Sequence, residues 1–236
     1  MTFVLNLLHK DFSLLAADRQ GNVDGPATIT VGNMTVHVTG GKTTINGLKK
    51  IAISDNKTCA LGIAGNSNEH RYIEQFKSSE TPLHAMKQIR NAMEAFFDFD
   101  ARDELLAGTP QMENQTLLTF FDNEKSAFFT NMSLFTKFAN TTNLYARRAN
   151  SSPILCHIGS GSSHFEAAVG LDEINAFIAR VAVGADVEDL ITWFKSTFEK
   201  VSALAPDCSP DFDAVLSTRE KPNFESVYGR KYSHAS

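Results

Sequence analysis

The chain has 236 residues, of which 42% are hydrophobic and 21% charged, so it is long enough and apolar enough to bury a sizeable core. Its 22 basic and 27 acidic residues give a net charge of −5, which argues against a nucleic-acid partner or an anionic membrane surface. No apolar run approaches the roughly 18 residues that a membrane span needs, and the N-terminal residues lack the pattern of a signal peptide.

The three cysteines indicate a reducing compartment. Cys59, Cys156 and Cys208 are odd in number and lack the spacing of metal ligands. We expect them to be buried free thiols, as in most cytoplasmic proteins. The sequence therefore predicts a cytoplasmic protein that has no metal site and needs no cofactor.

The first two segments of the chain predict a β-hairpin. Residues 2–8 and 12–18 are rich in apolar side chains and flank a short polar break centred on Lys10. A hairpin with this centre pairs Thr2 with Asp18 on the neighbouring strand, where paired side chains lie about 5 Å apart. The spacing alone therefore predicts a hydroxyl close to a carboxylate.

Two further hairpins are predicted before the first helix. Residues 27–39 alternate apolar side chains with threonine on both sides of a Gly32-Asn33 turn. The next pair comprises residues 48–54 and 58–64, with Asp55-Asn56 as the turn.

Helical spacing then predicts two helices, over residues 66–78 and 81–98. The second has Thr81 as its N-cap and Pro82 in its first turn. Further elements are strands at 115–121, 126–134, 140–147 and 153–159, helices at 163–180 and 187–203, and a strand at 212–218.

The order of these elements predicts the fold class. No linker or repeat divides the chain, so residues 1–236 are expected to form one domain, with a polar tail from about residue 219 that we assign no structure. Strands, two helices, strands, two helices and a last strand indicate an α+β fold. Two antiparallel sheets flanked by helices would form a four-layer αββα sandwich.

Five short stretches, in three regions of the sequence, together resemble one protein family. They are TFVLNLL and LLAADRQ within residues 2–20, NGLKKIAI and LGIAGNSNEH within 46–70, and HIGSGSS at 157–163. These stretches resemble the β-type subunits of the proteasome family, which are N-terminal nucleophile hydrolases, and in particular the bacterial homologues whose chains begin Met-Thr. The resemblance covers residues 2–205 in element order.

The resemblance implies an activity and an assembly. It implies a threonine-type peptidase that forms a homo-oligomeric ring, stacked as a double ring, whose nucleophiles face an enclosed chamber. Its substrate would be a peptide or an unfolded protein, and an ATPase unfoldase is a further partner that such a ring can have. Neither a nucleic acid nor a membrane is implied.

Within this resemblance, Thr2 matches the nucleophile. A threonine hydroxyl is a weak nucleophile that needs a base. The α-amino group of Thr2 titrates near about 8, so it can accept the proton once Met1 has been removed. Taken alone, a threonine after the first methionine is more simply a small residue that permits this removal.

Asp18 and Lys50 match a carboxylate and the lysine with which it pairs. An ammonium beside the nucleophile would lower the pKa of the N-terminal amine and favour its neutral form. Lys49 and Lys50 point to opposite faces of a strand, and we choose Lys50 because Leu48 and Ile51 then occupy the family's flanking apolar positions. Asp18 could instead be a strand-end residue that caps a turn.

Gly65 and Ile63 match positions that contact the substrate. Gly65 matches the glycine whose N–H donates to the oxyanion, since glycine allows the substrate backbone to approach closely. A turn glycine before a helix would occupy the same place. Ile63 would form the floor of the pocket for the residue before the cleaved bond, which predicts an apolar preference.

Ser160 matches a serine that binds the amine or a water beside the nucleophile. The same GSGSS stretch could be a helix-capping turn with Ser162 or Ser163 as the N-cap. It could also be a phosphate loop, although the rest of that fingerprint is absent. His157 and His164 flank the stretch and are more often core or surface histidines.

Two departures from the family leave other functions open. In LAPDCSPDFD, Asp207 and Ser209 are two residues apart instead of three and lie between prolines. The hairpin at 27–39 is an addition between Asp18 and Lys50 that could project into a chamber, restrict access or form a ring contact. The alternatives are a catalytically weak or silent shell with a binding role, and a small-molecule amidase or acyltransferase that uses Thr2.

Overall fold

The structure, a computed structural model, describes residues 2–24, 27–31, 34–38, 42–65, 75–95, 113–136, 139–148 and 152–231. The strands are β1 Val4–Leu8, β2 Phe12–Asp18, β3 Gln20–Asp24, β4 Ala27–Val31, β5 Met34–Val38, β6 Lys42–Asn46, β7 Ile51–Ile53, β8 Cys59–Gly65, β9 Glu113–Asp122, β10 Ala127–Thr136, β11 Ala139–Arg148, β12 Ile154–Ile158, β13 Phe212–Thr218 and β14 Glu225–Tyr228. The helices are α1 Pro82–Ala95, α2 Phe165–Val169, α3 Leu171–Val183 and α4 Val187–Leu204, with a 3-10 helix at Ser160–His164.

Two five-stranded antiparallel sheets organise these elements. The first has the strand order β12-β1-β2-β13-β14, so the N-terminal hairpin is at its centre, and the second has the order β11-β10-β9-β8-β7. Two small two-stranded sheets, β3 with β6 and β4 with β5, lie in sequence between Asp18 and Lys50. The prediction of an α+β chain with antiparallel sheets is therefore confirmed.

Three apolar clusters connect the sheets and helices. In the first, Phe3 on the N-terminal side packs with aromatic residues of the last helices, such as Phe165 and Phe198. The second joins side chains of both large sheets, among them Val4 and Leu117. The third joins β8 and β9 to α1. Burial of these apolar side chains provides most of the stabilising free energy of the fold.

A buried polar network also joins the two large sheets. The amide of Asn6 donates to Ser13 Oγ at 2.9 Å and accepts from Thr130 Oγ1 at 2.6 Å. The hydroxyls of Ser13 and Thr119 lie 2.8 Å apart. All four side chains are fully buried, so each depends on these partners. The network therefore fixes the N-terminal hairpin against the second sheet.

Several predicted elements are present at their expected places. The hairpin at 27–39 forms as β4 and β5, and the pair at 48–64 forms as β7 and β8. Thr81 caps α1, since its Oγ1 accepts from the backbone N–H of His84 at 3.1 Å. The strand at 212–218 has the predicted bounds. Most of the helix predicted over 66–78 lies outside the described residues.

Two predictions about the C-terminal half are wrong. The helix predicted over 163–180 is divided, because Gly170 has a φ of 88° and separates α2 from α3. Glycine tolerates this conformation, which ends helices. The tail from residue 219, which we assigned no structure, forms β14, and this strand pairs with β13. Within the described residues, no helix combines the length and the apolarity needed to cross a membrane.

Candidate active site

The N-terminal hairpin brings Asp18 to the start of β1. The strands pair with a register that differs by one residue from the predicted one. Val4 lies opposite Ala17, so Asp18 faces Phe3. The Phe3 N–H donates to Asp18 Oδ1 at 2.8 Å, and the Asp18 N–H donates to the Phe3 carbonyl at 3.0 Å. The predicted pairing of Thr2 with Asp18 is therefore wrong, because the hairpin has a two-residue turn centred between Lys10 and Asp11.

The Asp18 carboxylate is buried and accepts hydrogen bonds on both oxygens. Its Oδ2 accepts from the backbone N–H groups of Gln20 at 3.1 Å and Ser209 at 3.2 Å. Its Oδ1 accepts from the Lys50 ammonium at 2.9 Å in addition to the Phe3 N–H. A carboxylate that is 1% exposed is tolerated only with such partners.

Lys50 is the buried member of the lysine pair. Its side chain is 1% exposed and also donates to the Gln20 carbonyl, whereas Lys49 is half-buried. The segment that carries Lys50 is fixed on both sides, since the Leu48 N–H donates to the Arg19 carbonyl at 2.9 Å and the Ile63 N–H donates to the Lys50 carbonyl at 3.0 Å. The fold therefore places an ammonium beside the carboxylate that contacts Phe3.

Ser160 and the turn that contains it contact the backbone of Thr2. The backbone nitrogen of Thr2 donates to Ser160 Oγ at 3.1 Å, and the Gly161 N–H donates to the Thr2 carbonyl at 3.2 Å. The turn that begins the 3-10 helix thus holds the backbone of Thr2 in place. Neither Ser162 nor Ser163 is the N-cap of α2, since that position is His164.

Gly65 and Ile63 occupy different surroundings in β8. Gly65 ends the strand with a φ of 131° and is exposed. Its neighbour Ala64 borders the turn at Gly159. Ile63 is buried on the face of β8 opposite to Ala64, in the cluster with α1. The structure therefore brings the turn at Gly159 to the end of β8 and places Ile63 on the α1 side of the strand.

Cys208 is a neighbour of the site that the sequence reasoning missed. Its side chain is 3% exposed, and Ser160, Asp18 and Lys50 lie close enough to influence its titration. Burial and, second, the Asp18 carboxylate raise the pKa of Cys208 to about 11, so it is a neutral thiol at pH 7. The sequence signal that could have indicated Cys208 is its position between Asp207 and Ser209, two residues that the sequence analysis had considered for the site.

The segment that carries Cys208 reaches the site through its backbone. Ser209 gives its N–H to Asp18, while its hydroxyl accepts from the Asp211 N–H at 2.9 Å. Asp207 accepts from the amide of Asn22 at 2.7 Å. Ser209 therefore supports Asp18, and Asp207 supports the middle of β3.

His157 supports the turn that contains Ser160. Its Nδ1 is hydrogen-bonded to Ser162 Oγ, and its ring contacts Phe165 at a centroid distance of 4.9 Å. Burial lowers the pKa of His157, and the nearby Glu166 carboxylate opposes this shift. No group of three or more His, Cys, Asp or Glu side chains in the described ranges is arranged to hold a metal ion.

Gly159 should be much less tolerant of alanine than Gly170. The two glycines have nearly the same φ, 91° and 88°, so both substitutions incur the left-handed backbone cost of about 1–2 kcal/mol. A Cβ at Gly159 would overlap the Thr2 carbonyl, whereas a Cβ at Gly170 would meet nothing within 4 Å. We expect Gly159→Ala to lower the free energy of unfolding by a further 1–3 kcal/mol, roughly. Urea unfolding of both variants measures this difference, and equal losses would contradict the close approach.

The fold described above is proteasome-like. One solved structure with a similar fold is a (Gly-1) mutant of Anbu, a proteasome-like protein, from Hyphomicrobium sp. strain MC1. The TM-score is 0.52 and the sequence identity 11%, and the match covers 100% of this chain and 88% of that chain. No protein-family model and no curated protein matches the sequence. The likeness therefore concerns the fold.

Proposed function

We propose that the chain is the subunit of a proteasome-like ring and acts as a threonine-type N-terminal nucleophile peptidase after removal of Met1. One observation carries this proposal: Asp18 Oδ1 accepts both the N–H of the residue after Thr2 and the Lys50 ammonium. A buried ammonium thus shares its acceptor with the residue next to Thr2, which supports the choice of Thr2 as the nucleophile. The apolar clusters on both faces of the large sheets support the four-layer αββα arrangement that the family implies.

The proposed reaction uses the groups around Thr2 in sequence. The free α-amine of Thr2 takes the proton from the Thr2 hydroxyl, whose oxygen attacks the carbonyl carbon of the peptide bond. The Gly65 N–H donates to the resulting oxyanion. The amine then returns the proton to the leaving nitrogen, and the C–N bond breaks to leave an ester on Thr2. Water hydrolyses this ester and regenerates the hydroxyl.

Lys50, Asp18 and Ser160 hold the reacting amine in its neutral and oriented form. The ammonium of Lys50 lowers the pKa of the Thr2 amine, because a second positive charge nearby is unfavourable. Asp18 fixes Lys50 in position. Ser160 Oγ lies 3.1 Å from the Thr2 nitrogen and orients it or a bridging water. Ile63 is buried in the cluster with α1, so its proposed role is to support the floor of the pocket for the residue before the cleaved bond.

The proposal extends to assembly and location. The subunits form a homo-oligomeric, stacked ring in the cytoplasm, and the nucleophiles face its chamber. Peptides or unfolded proteins are the substrates, and an ATPase unfoldase delivers the latter. Among the described strands, β4 and β5 pair only with each other. This small sheet either narrows access to the chamber or contacts a neighbouring subunit.

One observation favours a second candidate, a proteasome-like shell that is weak or silent as a catalyst and has a binding role. The hydroxyl of Ser209 is hydrogen-bonded to the Asp211 N–H. A serine that completed the site would turn this hydroxyl toward Thr2. The two prolines around Ser209 restrict the backbone of this segment and favour the arrangement that is present.

Intact mass of the native-start protein, before and after a β-lactone, tests the proposed function. Before treatment we expect a mass that lacks the first methionine. After treatment we expect one adduct per chain, because an electrophile that acylates the Thr2 hydroxyl stays bound as an ester. A processed chain that takes no adduct would support the silent shell. Retention of Met1 would contradict the proposal, since the base would then stay locked in a peptide bond.

A further inference from the structure

Residues 224–231, which we call the C-terminal strap, are hydrogen-bonded to both segments that hold Lys50, to one directly and to the other through Asp213. We propose that this strap is a positioning element of the candidate active site, acting through Arg19, Asp213 and Arg230. The inference rests on the proposed function and deepens it. Nothing in the sequence pattern of the strap predicts this role, because its side chains are mostly polar and half-exposed.

Asp213 is the anchor of the strap. It is 2% exposed and lies on β13, next to the hairpin strand β2. Its Oδ1 accepts from the Arg19 guanidinium, with Nε at 2.9 Å, and from the backbone N–H of Arg230 at 2.7 Å. One buried carboxylate oxygen therefore joins the strap to the residue that follows Asp18.

Arg19 transmits this attachment to Lys50 because of its neighbours in the chain. Asp18 supplies the carboxylate of the Lys50 ion pair, and Gln20 supplies the carbonyl that accepts a second hydrogen bond from the same ammonium. Residue 19 lies between them, so a movement of its backbone displaces both acceptors. Its own carbonyl accepts from the Leu48 N–H at 2.9 Å.

Arg230 holds the other segment. Its Nη2 donates to the Gly47 carbonyl at 2.6 Å, three residues before Lys50. The strap is itself fixed at its start, where Phe224 is 1% exposed in the cluster that also contains Ile51. Both the acceptors of Lys50 and the segment that carries Lys50 are therefore attached to one short piece of chain.

Gly229 permits the strap to lie against the ion pair. Its φ is 77°, and a Cβ at this position would overlap the Arg19 guanidinium and approach Asp213 Oδ1 at 2.5 Å and the Phe212 carbonyl at 2.6 Å. A methyl group at position 229 therefore cannot be added without moving the strap, Arg19 or both.

Displacement of the strap should change the titration of the Thr2 amine. The titratable groups that face this part of the site are Asp18 on β2, Lys50 before β7 and Cys208 after α4. Cys208 is neutral at pH 7, so Lys50 and Asp18 supply the charge. If Lys50 moves away from the amine, the pKa of the amine rises toward its ordinary value, and labelling at neutral pH becomes slower.

The test is the rate of β-lactone labelling as a function of pH, measured by intact mass on the full chain. Gly229→Ala and Arg230→Ala should each raise the midpoint of the pH profile by about one unit and slow labelling at pH 7 about tenfold. Gly184→Ala is the matched control, because Gly184 also has a positive φ, 124°, but a Cβ there meets nothing within 4 Å. It should label as the wild type does.

The outcomes separate this inference from the proposed function. Folded Gly229→Ala or Arg230→Ala protein with an unchanged midpoint overturns the inference, even if its melting temperature falls. Arg230→Lys, which keeps a cation for the Gly47 carbonyl, should return the midpoint most of the way to the wild-type value. If the alanine variants do not fold, Arg230→Met, which keeps the length of the side chain but has no donor for this carbonyl, takes their place and should show the raised midpoint. A wild-type chain that takes no label at any pH rejects the proposed function and, with it, the inference.

Discussion

Replacing Thr2 by alanine should abolish covalent modification by β-lactones and epoxyketones and leave the protein folded. The hydroxyl is the atom that forms the ester, so its removal leaves no nucleophile at the site. The hydrogen bonds that hold residue 2 use its backbone nitrogen and carbonyl, which alanine retains. Intact mass measures the adduct, and circular dichroism with thermal unfolding checks the fold.

The cysteines do not confuse this result, because Cys59, Cys156 and Cys208 are all buried. Burial raises the pKa of Cys59 to about 11, and burial together with Asp18 raises that of Cys208 to about 11. Both are neutral thiols at pH 7, and neutral thiols react slowly with electrophiles. Thr2→Ser, which keeps a hydroxyl on the same backbone, is the matched control and should retain the adduct. An adduct that persists in Thr2→Ala would show that the nucleophile lies elsewhere.

The elements that could be predicted from the sequence are those with strong local signals. Alternating side chains around Gly32-Asn33 mark β4 and β5, and a capping threonine before a proline marks the start of α1. The meeting of Asp18 and Lys50 was expected from the family resemblance, and no local pattern would have revealed it. Their catalytic roles remain a proposal.

The remaining features depend on contacts between residues far apart in the chain. The register of the first hairpin depends on where the turn is centred, and a one-residue difference exchanges Thr2 for Phe3 as the partner of Asp18. The polar strand β14 forms because it pairs with β13 and because Arg230 binds Asp213. Such long-range pairing leaves little trace in a short polar segment.

Replacing Lys50 by alanine should cost far more than the same change at Lys49. Lys50→Ala leaves the buried Asp18 carboxylate without its cation, and breaking a buried ion pair from one side typically costs about 3–5 kcal/mol. It should also slow β-lactone labelling by on the order of 100-fold, because the amine loses the charge that keeps it neutral. Urea unfolding and the labelling rate at pH 7 measure the two effects.

Lys49→Ala is the internal control for this change. Lys49 is the residue before Lys50, and its side chain is half-buried. Lys49→Ala therefore removes the same side chain one position away. We expect a loss well below that of Lys50→Ala in both measurements, because the partner contacts of a half-exposed lysine contribute only about 0–1 kcal/mol. Equal effects at the two positions would contradict the placement of Lys50 against Asp18.

Arginine at position 50 separates charge from geometry in the same experiment. The ammonium of Lys50 contacts the Asp18 carboxylate and the Gln20 carbonyl, and its side chain is 1% exposed. The larger planar guanidinium would therefore have to displace one of these groups. If charge alone keeps the Thr2 amine neutral, Lys50→Arg should label at nearly the wild-type rate. We expect a rate close to that of Lys50→Ala instead, because the cation must stand beside Asp18 Oδ1 to influence the amine that lies one residue before Phe3.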